Sequence, residues 1–338
     1  MGRNSPLRIG VAGLGFGAAV HVPGLRESGD FEVVSLLARN PEKGRLAAAT
    51  LNIPSVHSEA EEFLAGDLDA VSVALPPPAS VDLCRRALAR KLPVLSEKPL
   101  APDVPSAESL ASLAKGIPTM LDFQFMELEA FQKLKLLIDE SALGELWYVE
   151  VRWVVQSYSH QNRIWSWKND ARHGGGVMGL LGSHLLFLMD WILGEISGLQ
   201  AAASNSRNAA FCPAGADPAM DSVSLCLRTR ACSCVSAILS NSAPLHEGHL
   251  WRIHGARGIL TLSNVTRDYM NGFELTLSDA QGTRVIIPTP APAEQDGRIP
   301  PFRALARRFA RAIRAGEIPH PSFADGLRVQ RYLAQTPA

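Results

Sequence analysis

Leu7–Ala18, reading Leu-Arg-Ile-Gly-Val-Ala-Gly-Leu-Gly-Phe-Gly-Ala, constrains this chain more than any other stretch. Leu7–Ala12 is a short apolar, partly β-branched run, the profile of a strand buried on both faces. Gly13-Leu14-Gly15-Phe16-Gly17-Ala18 follows, and the chain then has helical character to about Glu27. Strand, glycine turn and helix together are the context a dinucleotide loop requires. Gly13 makes the tight turn, Gly15 lets the backbone approach a pyrophosphate, and a small residue near Ala18 lets the helix close on the strand. N–H groups at the helix start then attract the phosphates. A lone G-x-G-x-x-G/A is weak, because glycine turns are common. Its position after a first strand, and the rhythm that follows, mark Gly13, Gly15, Phe16 and Gly17 as cofactor-binding residues.

That rhythm is β-α throughout the first third. Phe31–Leu37 reads as a second buried strand, and Asn40-Pro41 supplies an N-cap and a proline at N1 for a helix to about Leu51. Asp69–Leu75 is a third strand, halted at Pro76-Pro77-Pro78, with a helix over Ser80–Arg90 and a short strand over Pro93–Ser96. Glu97-Lys98-Pro99 falls at that strand's carboxyl end, where open α/β sheets place ligands. Pro102–Lys115 is helical, Pro118–Leu121 is a strand and Leu128–Ile138 has helical spacing. The pattern predicts a Rossmann-type doubly wound parallel sheet. Roughly 20 residues past the glycines, a carboxylate selects NAD and an arginine accepts the 2′-phosphate of NADP. Here the position is Ala38, followed by Arg39, Asn40 and, one turn on, Lys43. Arg39 and Lys43 therefore predict NADP as the preferred cofactor, with NAD still possible.

Near Gly144 the rhythm changes. Trp147, Val149, Val151, Trp153 and Val155 alternate along Glu145–Val155, the pattern of a half-exposed strand. A loop rich in aromatic and basic residues leads to Gly174-Gly175-Gly176, and Val177–Leu193 is a very apolar helix carrying His184. Seven further strand-like runs and two closing amphipathic helices, Pro300–Ala315 and Phe323–Gln335, complete the chain. The second half is expected to be an α+β domain on a largely antiparallel open sheet. The division expected is 1–122 for the dinucleotide domain and 123–338 for the substrate and oligomerisation domain, with the closing helices free to pack back on the first.

At 338 residues the chain suits two domains. Lys plus Arg equals Asp plus Glu at 33 each, so no bulk field favours nucleic acid or an anionic membrane. The five cysteines are odd in number and scattered, which argues for free thiols in a reducing compartment. Residues 1–6 are a short polar lead, and no apolar run is expected to approach membrane-spanning length. A cytoplasmic protein is the expectation. The alternating apolar stripe on Glu145–Val155, exposed on an open sheet, predicts a homo-oligomer through that face.

Glu97-Lys98-Pro99 after a doubly wound half, then a glycine triplet with a histidine eight residues past Gly176, resembles the Gfo/Idh/MocA oxidoreductase family. The resemblance runs from Gly13–His21 through Ala74-Leu75-Pro76 and Gly174–His184 to Pro321–Arg331. It implies an NAD(P)-dependent enzyme that moves a hydride to or from a sugar, cyclitol or similar polyol, commonly as a dimer or tetramer built on the second domain's sheet. It implies that Leu75 and Pro76 line the nicotinamide side, that Glu97 and Lys98 bind cofactor, and that Lys98 and His184 are catalytic. Gln124, Trp167, Lys168 and His184 form the implied substrate-binding set. Hydride transfer from a carbinol must be coupled to loss of the hydroxyl proton, a task suited to His184, while an ammonium on Lys98 stabilises the alkoxide. The chain departs from the family at Leu180 and Phe187, where aspartates are usual. Those departures leave room for a reductase of a C=N or conjugated substrate, or for a non-catalytic dinucleotide sensor.

Overall fold

The computed structural model describes residues 5–292 and 294–337; the start of the polar lead, residues 1–4, lies outside them. The chain forms two compact units, Met1–Gln124 with Arg298–Gln330, and Phe125–Gly297 with Arg331–Ala338.

The first unit is built on parallel strands β1 (Leu7–Ala12), β2 (Phe31–Leu37), β3 (Ser55–His57), β4 (Ala70–Val73), β5 (Val94–Ser96) and β6 (Thr119–Leu121), in the order β3-β2-β1-β4-β5-β6. Ile9, Val11, Val71, Val73 and Leu95 are wholly buried, as strands covered on both faces must be. The connecting helices are α1 (Val22–Ser28), α2 (Pro41–Leu51), α3 (Ala60–Leu64), α4 (Pro77–Ala89) and α5 (Val104–Leu113). Local chemistry sets their ends. The Asn40 side chain accepts from the Lys43 N–H at 3.0 Å, and Asp103 accepts from the Ser106 N–H at 2.8 Å. The sequence had not marked β3 or α3: both are very short, and Ser55-Val56-His57 has no apolar alternation to betray it.

The second unit holds eight strands: β7 (Leu146–Val154), β8 (Ile196–Ser204), β9 (Ser222–Thr229), β10 (Val235–Ser240), β11 (Gly248–Gly255), β12 (Gly258–Asn264), β13 (Glu274–Asp279) and β14 (Gly282–Ile287). Their order is β14-β13-β12-β11-β7-β10-β9-β8, antiparallel except where β10 runs parallel to β7. The helices α6 (Glu129–Asp139), α7 (Tyr158–Asn162), α8 (Ser183–Leu193) and α9 (Ser206–Ala209) belong to this unit. Helices α10 (Ile299–Ala315) and α11 (Phe323–Leu333) follow in the chain. Phe302, Leu305 and Phe309 of α10 are fully buried in the first unit, where Phe302 lies over Gly24 of α1 and Phe309 stacks on Phe31. Burying each phenylalanine contributes about 1.5–3 kcal/mol.

Two expectations are corrected here. The stripe on β7 does not lie on the open face: Val149, Val151 and Trp153 are 1, 2 and 2 % exposed, and only Trp147, at the strand's start, stands out at 58 %. These side chains face the helices, as Phe131 of α6 meeting Trp251 of neighbouring β11 shows. The open face carries the other phase, Tyr148, Glu150 and Arg152, with Tyr148 stacked on His254 and Arg152 paired with Glu247. Alternation reveals two faces but not which of them a helix covers. Secondly, Ala171–Leu193 is apolar and long enough to cross a membrane by composition, with a mean hydropathy of 1.6. Its side chains supply the core of the second unit, 72 % of the window being buried in the protein.

Candidate active site

In the first unit, strand order reverses between β1 and β4, which opens a crevice at their carboxyl ends. Gly13 stands there with φ +113°, and a Cβ on it would lie 2.3 Å from the Ala74 carbonyl oxygen. No side chain fits. Around the position a Cβ on Gly15 would take, no atom lies within 4 Å, so the backbone here is open to a ligand. Gly17 begins a π turn, Gly17–His21, that leads into α1 with no acidic residue in its first turn. A tight glycine, an exposed glycine and an uncompensated helix start are what a pyrophosphate needs, so these residues fit a dinucleotide.

Leu75 borders the loop, its Cδ2 lying 3.5 Å from the Gly13 Cβ position, and Pro76 precedes α4. Arg39 and Lys43 are exposed just past β2, at the end and first turn of the Ala38–Lys43 segment, whereas Ala38 is buried. Phe16 meets the His21 ring edge-on at 5.5 Å, under the guanidinium of Arg298. Gln124 is buried at the end of this unit, just beyond β6.

Glu97 and Lys98 follow β5, the Glu97 N–H donating to the Val73 carbonyl. The Glu97 carboxylate turns inward and meets two residues that no sequence pattern had marked. His21, wholly buried, shares a 2.7 Å hydrogen bond with Ser72 through Nδ1. Its Nε2 lies 3.3 Å from Glu97 Oε1 and 3.7 Å from Asp122 Oδ2. Phe302 stacks on the imidazole at 4.2 Å and fixes its plane. Burial alone would lower His21, but the two carboxyl groups beside its Nε2, Asp122 and Glu97, outweigh it and hold the imidazole above its ordinary value. Glu97 is held below the usual carboxylate range: burial opposes this, but His21 and the Lys98 ammonium prevail. Asp122, buried beside the Glu97 charge, is pushed up to about 7. The available sequence signal was position: His21 ends the glycine-loop turn, and Asp122 sits just past the carboxyl end of β6, the edge strand of the sheet.

In the second unit the glycine triplet is a packing device. The Trp167–Asp170 backbone folds over Gly175, where a Cβ would lie 2.4 Å from the Trp167 carbonyl oxygen. Asp170 is buried and grips Arg172 through both oxygens, at 3.0 and 2.6 Å. Trp167 is half-buried and Lys168 exposed. A second π turn, Met178–Gly182, then delivers His184 in the first turn of α8. His184 is 6 % exposed, edge-on to Phe125 at 5.0 Å and tilted against Trp153. Behind them His249 stacks on Trp153 at 4.1 Å and accepts a hydrogen bond from Trp251 Nε1; burial pushes it down to about 3, so it is neutral. Phe187 is core, and Asp190 accepts from the Tyr332 hydroxyl at 2.7 Å, a structural bond. Glu127 is half-buried after the first turn beyond β6, and Glu129 lies exposed in the first turn of α6.

Residues 7–123 match the family profile described as oxidoreductase family, NAD-binding Rossmann fold, and residues 131–261 match the GFO/IDH/MocA C-terminal domain. An uncharacterized oxidoreductase of Synechocystis sp. is 27 % identical over 98 % of this chain and 93 % of its own length. D-apiose dehydrogenase of Paraburkholderia graminis is 24 % identical over 94 % and 83 %. Glucose-fructose oxidoreductase domain-containing protein 1 of Mus musculus is 29 % identical, but the match spans 55 % of this chain and only 48 % of that protein. Among solved structures, levoglucosan dehydrogenase in complex with NADH and levoglucosan superposes with a TM-score of 0.85 at 21 % identity, over 98 % of this chain and 96 % of that one. At that identity the likeness establishes the fold.

Proposed function

This chain belongs to the Gfo/Idh/MocA family of NAD-binding oxidoreductases, and from that premise we propose that it moves a hydride between a nicotinamide and a carbonyl or hydroxyl carbon of a sugar-like or polyol molecule. The observation that carries the reading is the crevice itself: Gly13 closed against Ala74, Gly15 open, and Lys98 at the end of the next strand but one from β1. The names of two relatives, D-apiose dehydrogenase and levoglucosan dehydrogenase, support a sugar-like substrate.

Gly13, Gly15, Phe16 and Gly17 would hold the dinucleotide, with Leu75, Pro76 and Glu97 beside its ring. Arg39 and Lys43, with no acidic residue in the Ala38–Asn40 segment, support NADP as the tighter cofactor. When bound, the nicotinamide supplies or accepts the hydride. Lys98 stabilises oxygen charge at the reacting carbon, and its own charge is balanced by Glu97 behind it. His184 exchanges the hydroxyl proton, its ring held by Phe125 and Trp153. Trp167, Lys168 and Gln124 are the proposed substrate contacts. The apolar Leu180 and Phe187 favour, as a second reading, reduction of a C=N or conjugated substrate, which needs no hydroxyl-binding carboxylate there.

Turnover of NADPH and NADH against a panel of ketosugars, aldoses and cyclic imines tests both readings. Activity on imines alone overturns the first, and no activity with any of them overturns both. The open sheet face at Tyr148, Glu150 and Arg152 is the proposed surface for a homodimer or homotetramer, and a monomer mass by light scattering at micromolar concentration would refute it.

A further inference from the structure

Asp122 is an unusual residue to bury where it stands. It is 1 % exposed, and neither carboxyl oxygen has a hydrogen-bond partner. His21 Nε2 lies 3.7 Å from its Oδ2, beyond hydrogen-bond length. A carboxylate in that position would lose its hydration and gain no donor, a loss far larger than that of a neutral acid. The neighbouring Glu97 charge adds repulsion. The carboxyl is therefore held close to the balance between acid and carboxylate, because the His21 imidazole stands 3.7 Å from it and the Lys98 ammonium offsets part of the Glu97 charge.

The groups around it are few. From the glycine-loop turn comes His21, and from the end of β5 come Glu97 and Lys98. Ser72 and Ser96 contribute only hydroxyls. From α4, Cys84 is pushed up to about 11 by burial and stays neutral. From α10 come Phe302 against His21 and Arg298 over Phe16. At the start of α11, Asp325 is charged but engaged by Ser322, His320 and Arg328. Among the described residues, a change of one unit of charge near Glu97 and Lys98 thus acts on two linked groups, His21 and the acid Asp122.

We propose that Asp122 is a proton-linked sensor of the cofactor's redox state: its carboxyl releases a proton when the oxidised, cationic nicotinamide occupies the crevice and keeps it when the ring is reduced and neutral. This rests on the nicotinamide lying beside Glu97 and Lys98, as proposed above. The proton balance is simple, Asp122 carboxylic acid giving carboxylate plus a proton to solvent. The exit runs by His21 Nε2 and Glu97 Oε1, the Glu97 side chain being 16 % exposed. The phosphates and adenosine are common to both redox forms, so only the ring's charge distinguishes them. Asp122 sits near its midpoint at neutral pH, and the protein consequently favours the oxidised form more as pH rises.

Isothermal titration of NAD+ and of NADH, from pH 6 to 8 and in two buffers of different ionisation enthalpy, tests this. A one-unit shift of Asp122 makes the ratio of the two dissociation constants rise about fivefold in favour of NAD+ across that range. It also releases about 0.4 proton per NAD+ at pH 7, and none per NADH. Asp122→Asn should bind both forms and flatten both signals. A parent ratio that is flat with pH, or one that changes equally in Asp122→Asn, overturns the proposal. If that variant does not fold, infrared difference spectra of the parent decide: NAD+, and not NADH, must bleach a protonated-carboxyl band, and no bleach overturns it. Failure of both dinucleotides to bind would instead overturn the cofactor reading.

Discussion

Gly13 and Gly15 are two residues apart in one loop, yet the structure gives them opposite expected responses to the same methyl group. An alanine at 15 meets nothing within 4 Å and requires no left-handed backbone. The folded state loses nothing, and the unfolded chain loses freedom, so Gly15→Ala should leave stability unchanged or raise it by about 0.4–1 kcal/mol. The same methyl stands where a pyrophosphate must approach the backbone. Holding a phosphate oxygen away from one N–H forfeits a charge-assisted hydrogen bond of about 1.5–3 kcal/mol, or roughly 10- to 100-fold in affinity. At Gly13 the alanine Cβ would sit 2.3 Å from a backbone oxygen, at φ +113°. Neither atom belongs to a side chain that can swing aside, so the cost is at least about 3 kcal/mol. Thermal melts paired with dinucleotide titrations, followed by quenching of tryptophan emission, separate the two. Gly15→Ala should melt like the parent and bind weakly, while Gly13→Ala should melt early. A Gly15→Ala protein that binds like the parent would refute the assignment of the loop.

Arg39→Ala should weaken NADPH binding while leaving NADH unchanged; equal affinities of the parent for the two would remove the basis for NADP preference. Lys98→Met should keep dinucleotide binding largely intact and lower turnover by about 10²-fold or more, the scale of losing one preorganised donor, and unchanged turnover would return the lysine to a structural role. His184→Ala should lower turnover by about 10²–10⁴-fold, with its fold intact by circular dichroism. Asp325 is held well below the usual carboxylate range: burial opposes this, but His320 and the Ser322 N–H and hydroxyl outweigh it. A depressed folded value means stability present above the unfolded value, about 3.9, and lost as pH falls further. Asp325→Asn should therefore cost about 1–3 kcal/mol at pH 7 in thermal melts, with the gap from the parent closing below about pH 4.

The doubly wound sheet was legible because its strands are continuous apolar runs ended by glycine or proline, as at Leu7–Ala12 and before Pro76. The eight-stranded sheet was legible as a set of alternating runs. What periodicity could not assign was the side that α6 and α8 cover, so the β7 stripe was placed on the open face rather than in the core. In the candidate site, the glycines and Lys98 announce themselves through motif and position. The partnership of His21, Ser72, Glu97 and Asp122 does not, since these residues are scattered along the sequence and meet only when β1, β4, β5 and β6 align. The register between Leu180 and His184 was equally hidden, because residues 178–182 form a π turn that no apolar pattern announces.

Those two π turns, at 17–21 and 178–182, behave like one-residue insertions in ordinary helices. Deleting Ala19 or Leu181 would let the regular i→i−4 ladder close and make each helix more uniform. It would also rotate one side of the helix against the other by about 100°. His21 would then swing from Ser72 and the two carboxylates, and His184 from Phe125 and Trp153. At both places the chain's length, not its local helix propensity, is what aims the imidazole. A shortened protein could thus fold more regularly while losing the geometry on which its chemistry depends.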